Sequence, residues 1–279
     1  MSKFIIGDQE NKDDQLAQAI VNAKDGDIIE LQPGTYFTSE SPFICTVRQN
    51  LTFVGKSSNK DNIKLNCSFT VGAKNIIIFK NLTITFPANG ENTLSAYDGA
   101  EVYADNVCIN RETSDNWDTV YGQNATFSFK NSQILTGLKT KAIGLSLDNS
   151  QIFADNTSIQ FLFQRKSKAY LRNSIVTHEF KLRQHSETYF RNLTMVSYEV
   201  PHKNDLTVHS GSKFQGQDLV FTSNKPKLRI FKGDFKVNNT NPEPDQLHFK
   251  FDDSSKVSVD NQKPFNEDHQ NIKKISKYL

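Results

Sequence analysis

Three stretches of this chain set a tyrosine between charged residues at alternate positions: Glu101/Tyr103/Asp105, Lys168/Tyr170/Arg172 and Glu187/Tyr189/Arg191. Alternation at period two puts each triplet on one face of a strand. If the strands of the second and third triplets lie side by side, Tyr170 meets Tyr189 and Arg172 meets Arg191, one strand spacing apart. Aromatic faces can stack on pyranose rings, and guanidinium forks pair with carboxylate or sulfate. Such a face suits an extended acidic sugar chain, so Tyr170, Tyr189, Arg172, Arg191, Lys168 and Arg183 are the candidate binding residues. Arg165, Lys166, Lys181, Arg183 and His185 are expected in the turns that flank it. A solvated face, with Lys168 and Glu187 in weak cross-strand pairs, accounts for the same residues.

Other chemistry is thinly represented. None of the six histidines, His178, His185, His202, His209, His248 and His269, forms a ligand pair at helical spacing. His202 and His209 fall in the longest insertion, Ser197 to Gly211, with Glu199, Lys203 and Asp205. Long loops on a rigid scaffold tend to carry function, although a loop histidine is commonly a bystander. Cys45, Cys67 and Cys108 are widely spaced and make no CxxC or Cys/His cluster, which argues against disulfide and zinc frameworks. No metal and no cofactor is expected. Asp252-Asp253 beside Ser254 reads as a turn.

The elements that must hold these residues are set by a repeat. A small or polar residue, then two apolar residues at alternate positions, then Asn or Asp recurs with its last member at Asn81, Asn106, Asn131, Asn149, Asn173, Asn192, Asp218, Asn239 and Asn261. A period near twenty with elastic spacing marks a solenoid, in which each turn buries its inner face by stacking on the next. Positions −4 and −2 point inward: Ile77/Phe79, Val102/Ala104, Phe127/Phe129, Leu145/Leu147, Ala169/Leu171, Thr188/Phe190, Phe214/Gly216, Phe235/Val237 and Val257/Val259. The Asn marks a bend between two strands, where αL geometry is tolerated and neighbours up and down the stack can be bonded. Asn156 fits the same pattern, leaving the register between 149 and 173 open. Residues 13–24 make a helix capped by Asp13 or Asp14, with Leu16, Ala19, Ile20 and Ala23 on one face. It can cover the open end of the stack, whose strand edge needs protection.

The run Leu16-Ala17-Gln18-Ala19-Ile20, then Lys24-Asp25-Gly26-Asp27-Ile28-Ile29-Glu30-Leu31-Gln32-Pro33-Gly34-Thr35-Tyr36, resembles the opening coil of right-handed parallel β-helix proteins of the pectin lyase-like class. Leu51-Thr52-Phe53-Val54-Gly55 and 76–84 are similar to its next coils. The resemblance implies an all-β, right-handed parallel β-helix of about ten coils with an N-terminal capping helix. It implies no particular reaction, because lyases, hydrolases, epimerases and non-catalytic proteins share that opening. Lyases of the class use Arg or Lys as base; Arg165, Arg172, Lys181, Arg183 and Arg191 are available. Arg229-Ile230-Phe231-Lys232 departs from the hydrolase basic motif, and Val200-Pro201-His202 lacks the leading aspartate of the epimerase signature.

The expected organisation is one domain over residues 1–261, with a cap or tail at 262–279. Net charge is +2 and mean hydropathy −0.56, so total charge does not point to a polyanion, and no apolar run reaches the length of a membrane span. Basic residues interleave with acids, so nucleic acid is not an expected partner. No secretory leader is visible, which suggests a cytoplasmic chain unless a leader has been removed. Three readings stay open: a non-catalytic module binding a polysaccharide or protein along a strand face, a polysaccharide-active lyase or hydrolase, and a rigid docking or spacer domain of a larger protein. A convergent Asp/Lys/Arg cluster would favour the enzyme.

Overall fold

The computed structural model describes residues 2–262 apart from 8–9, 73, 114, 138–141, 198–203 and 224. His202 and the tail from 263 onward lie outside the described residues. The chain divides into two compact units, Met1–Ser146 and Leu147–Leu279. Both are wound as a parallel β-solenoid, about ten turns in all.

A full coil contributes to three sheets. The first sheet precedes the Asn corner, the second follows it and the third closes the coil. In the C-terminal unit the first sheet runs through Gln151–Asp155, 168–172, 187–191, 213–217, 234–238 and Lys256–Val259, all parallel. The third sheet runs through 162–165, 180–183, Leu206–His209, Lys227–Phe231 and His248–Phe251. In the N-terminal unit the first sheet contains Asp27–Leu31, Leu51–Gly55, 76–80, 101–105 and Thr126–Lys130.

The inward set is buried as the alternation requires, with Gly216 half-buried. Aromatic members stack along the interior: Phe214 lies 5.6 Å from Phe235 and 4.7 Å from Phe190, and Phe53 lies 5.5 Å from Phe79. Each such buried phenylalanine contributes about 2–3 kcal/mol of transfer free energy. Gly216 leaves space for its neighbour: a Cβ there would sit 2.6 Å from the Phe190 ring and 2.3 Å from its carbonyl oxygen. The three cysteines are buried free thiols, and burial pushes Cys45 up to about 12 and Cys108 up to about 11. They act as small apolar groups.

All the corner residues do adopt αL geometry, with φ between 47 and 63°. Their side chains bond along the stack, Asn106 Nδ2 to Asn81 Oδ1 at 3.0 Å and Asn192 Nδ2 to Asn173 Oδ1 at 3.0 Å. The open register resolves in favour of Asn156. Strand Gln151–Asp155 pairs Asp155 with Arg172, which sets Asn156 opposite Asn173. Asn149 instead follows Asp148 at a different corner, between third and first sheets, and its N–H bonds the Arg165 carbonyl at 2.9 Å. Both corners need αL backbone, so both select Asn, and side-chain type alone cannot separate them.

The helix spans Lys12–Asn22 and buries Leu16, Ala19 and Ile20. Asn11, not Asp13 or Asp14, holds the N-cap position; the two aspartates occupy the first turn, where negative charge favours the dipole. Ala23 is the C-cap rather than a helical residue.

Candidate functional site

The first-sheet triplets pair as the alternation predicts: Lys168 with Glu187, Tyr170 with Tyr189, Arg172 with Arg191. Phe153 extends the column, giving a ladder with centroids 5.0 Å apart from Phe153 to Tyr170 and 5.6 Å from Tyr170 to Tyr189, tilted by 6 and 18°. Near-parallel rings at that spacing cover each other's faces and turn their edges to solvent. Tyr170 is 39 % exposed. The charges around the ladder are also engaged. Arg172 donates from Nε to Asp155 Oδ1 at 3.0 Å and from Nη2 to Asp155 Oδ2, a bidentate fork. Glu187 takes Lys213 at 2.9 Å and Lys168 at 3.5 Å, which with hydrogen bonds holds its carboxyl below the usual range. Arg191 has no ion pair among the described residues.

Arg183 lies elsewhere. It closes the continuous strand Lys168–Arg183, which turns out of the first sheet through Asn173 and again at His178, φ 73°. Lys181 and Arg183 are therefore strand residues of the third sheet, not turn residues: the αL bends let the hydrogen-bonded ladder continue around the corners. Leu162, Phe180 and Leu182 point inward and are buried. The alternate positions face out and form two rows. One reads Phe163, Lys181, Thr207, Arg229, Lys250; the other reads Arg165, Arg183, His209, Phe231. Neighbours within a row are about 4.8 Å apart.

These positions are fixed from behind. Each strand ends at a corner where the ladder is interrupted, and a column of buried serines fills the gap. Ser167 Oγ donates to the Arg165 carbonyl at 2.7 Å, Ser186 Oγ to that of Arg183 at 2.7 Å and Ser212 Oγ to that of His209 at 2.6 Å. The hydroxyls also accept from the preceding coil, Ser167 N–H donating to Ser186 Oγ at 3.2 Å and Ser186 N–H to Ser212 Oγ at 3.1 Å. Buried backbone groups are thus satisfied, and Arg165, Arg183 and His209 are held in register. Gly211, φ 75°, lies against the His185 ring, where a Cβ would come within 2.5 Å of Nδ1.

The electrostatics of the two rows are distinct. Arg165 is tied to Asp148, Nε to Oδ1 at 3.0 Å. Lys181 pairs with the buried Glu179 at 2.8 Å, and its ammonium lies 5.1 Å from the Phe161 centroid. Arg183 lies over the Phe163 ring at 6.0 Å, and neither it nor Arg229 has an ion pair among the described residues. The His209 ring stacks on Phe231 at 5.1 Å, and its Nδ1 shares a hydrogen bond with Ser210 Oγ. Burial, then the positive charges of Arg183 and Arg229, push the His209 pKa below 6.5. A neutral imidazole next to the open Arg183 guanidinium can accept a proton beside a bound anion. Among the described residues no group of three or more His, Cys, Asp or Glu is arranged to hold a metal ion.

His209 and Arg229 are the functional candidates that the first-sheet reading did not bring to the face. Their signal is present: Leu206-Thr-Val-His, Lys227-Leu-Arg-Ile-Phe and Phe180-Lys-Leu-Arg share one alternation, and aligning them on their inward residues puts Arg229 in the column of Lys181 and His209 in that of Arg183.

No family model matches the sequence, and no curated protein matches it. Solved structures do. An alginate lyase from Paenibacillus sp. str. FPU-7 is similar over 92 % of this chain and 99 % of its own, with TM-score 0.61 and 15 % identity. A pectate lyase from Xanthomonas campestris aligns over 94 % and 82 %, with TM-score 0.49 and 10 % identity. A pectin methylesterase from Aspergillus niger aligns over 96 % and 88 %, with TM-score 0.46 and 11 % identity. These neighbours are polysaccharide-active enzymes with parallel β-helix folds, and the likeness to the alginate lyase shows that fold in this chain.

Proposed function

We propose that this chain is a polysaccharide-active enzyme that cleaves an acidic, uronate-bearing polymer by β-elimination on the third sheet of its C-terminal unit. The observation that carries the reading is the convergence of Lys181, Arg183, His209 and Arg229 on one outward face, with both arginines open. Similarity to the alginate lyase supports the choice of a uronate polymer.

The chemistry needs three things. Removing the C5 proton of a uronate moves charge onto its carboxylate, so a cation there stabilises the transition state more than the ground state. Arg183 is the carboxylate clamp, since its fork has no ion pair among the described residues and its backbone carbonyl accepts from Ser186 Oγ. His209, kept neutral by burial and its cationic neighbours, accepts the proton. The C4–O4 bond breaks as the C4–C5 double bond forms, and the leaving oxygen takes a proton from the Lys181 ammonium. Glu179 holds that ammonium in place. No water is consumed, and the product carries an unsaturated uronate at its new non-reducing end.

Incubation with alginate and with polygalacturonate tests this, read as growth of the far-ultraviolet absorbance of the unsaturated product. A flat trace with every uronate polymer overturns the lyase reading. A second reading, binding without cleavage along the first sheet through Tyr170, Tyr189, Arg172, Arg191 and Lys168, rests on the unpaired Arg191 beside the exposed Tyr170. It requires that Arg172→Ala with Arg191→Ala abolish glycan binding while Arg183→Ala leaves it intact.

A further inference from the structure

We infer that Ser210 is the positioning residue of the proton acceptor: its hydroxyl takes the Nδ1 proton of His209 and leaves Nε2 as the basic nitrogen on the third-sheet face. The inference rests on the third-sheet reading above, in which His209 receives the C5 proton. A neutral imidazole has one N–H and one lone pair, and the bond made by one nitrogen decides the role of the other. In water the Nε2–H form of a histidine side chain is the more stable. A base that works through Nε2 therefore needs an acceptor for Nδ1.

Ser210 is that acceptor. His209 Nδ1 is hydrogen-bonded to Ser210 Oγ, while Nε2 has no partner among the described residues. A hydroxyl can donate or accept in such a bond, and charge selects between the two. Arg183 is the neighbour of His209 in its row, and Arg229 lies on the following strand, away from the corner that carries Ser210. With Nδ1 turned to that corner, a lone pair on Nε2 is favoured beside these cations and an N–H there is opposed. Ser210 is half-buried, so its own hydroxyl proton can turn to solvent.

The corner is firmly held. Ser210 has αL backbone, φ 56°, and its N–H donates to the Phe231 carbonyl at 3.1 Å. Its carbonyl accepts from His185 N at 2.9 Å, and the His185 ring fills the space where a side chain on Gly211 would stand. The Phe231 ring, stacked on His209 with 15° between the planes, fixes the imidazole from the other side. His185 thus serves as packing under the corner.

Nitrogen-edited NMR of histidine-labelled protein at mildly alkaline pH, where His209 is neutral, reads the tautomer directly. The His209 signal is identified by its loss in His209→Gln. The parent should carry the proton on Nδ1, and Ser210→Ala should move it to Nε2. The same substitution should lower kcat on a uronate polymer about tenfold while changing KM less than twofold, since no binding group is touched. Thermal melts matching the parent exclude misfolding. A parent proton on Nε2 overturns the inference without recourse to any Ser210 variant. A tautomer or a kcat that Ser210→Ala leaves unchanged overturns it as well. A tautomer that moves as expected, in a parent that cleaves no uronate polymer, leaves the Ser210 assignment standing and removes the lyase reading.

Discussion

Within the C-terminal unit the first and third sheets have the same strand spacing, the same alternation and a similar supply of cations and rings, yet they spend them differently. On the first sheet Phe153, Tyr170 and Tyr189 cover one another, Arg172 is locked to Asp155, and Glu187 gathers Lys168 and Lys213. On the third sheet the rings lie beneath or beside cations, and Arg183 and Arg229 meet no carboxylate among the described residues. Side-chain composition therefore does not make a site on a solenoid; what matters is whether each charge finds its partner within the protein. A satisfied face stabilises the stack, and an unsatisfied one is left to bind.

The widest separation between the faces should come from activity. Arg183→Ala is expected to lower kcat/KM on a uronate polymer by about 100-fold or more, whereas Tyr170→Ala should change it less than about twofold; steady-state assays of both check this. The reverse result would transfer the site to the first sheet. Next comes pH. With neutral His209 as base, kcat/KM should fall about tenfold per unit on the acid limb, with its midpoint below the ordinary histidine value of about 6.5, because the pKa is lowered. His209→Gln should remove that limb, so a limb that persists in the variant would acquit His209.

Stability should discriminate in the opposite sense. Tyr170→Ala removes two stacked contacts and should cost about 1–3 kcal/mol, while Arg183→Ala should stay within about 0.5 kcal/mol, both measured by chemical denaturation. A smaller loss than at Tyr170 is expected at Asp155→Ala. Its pair with Arg172 is solvent-exposed, so the loss should stay below about 1 kcal/mol and shrink with salt. A larger loss would mean that the fork, rather than the rings, holds that part of the first sheet.

Most of the fold could be read along the chain, because it is written in local signals. Alternation at Ile77/Phe79 or Phe235/Val237 dictates an inner face, and each Asn corner announces αL backbone. The pairing of Tyr170 with Tyr189 and of Arg172 with Arg191 followed from counting alone. The ambiguity at Asn149 and Asn156 was real, since two corners share one backbone requirement. The candidate site was less legible. Arg183 was expected in a flanking turn but ends strand Lys168–Arg183, and His209 was read within an insertion although it ends strand Leu206–His209. The serine column that holds Arg165, Arg183 and His209 is scattered among ordinary serines, and only the stack reveals that each hydroxyl accepts from the serine N–H one coil before.

The sequence by itself determined the winding, the inner and outer assignment of most strand residues and the chemical types offered to solvent, because period-two alternation and αL preference act within a few residues. Tertiary structure alone decided which outward residues satisfy each other. Asp155 reaches Arg172 and Glu187 reaches Lys213 across coils, while Arg183 and Arg229 find no acid among the described residues. Neutralisation depends on distances of a few ångströms between residues a whole coil apart, and coil lengths that vary from turn to turn set those distances only once the chain is stacked.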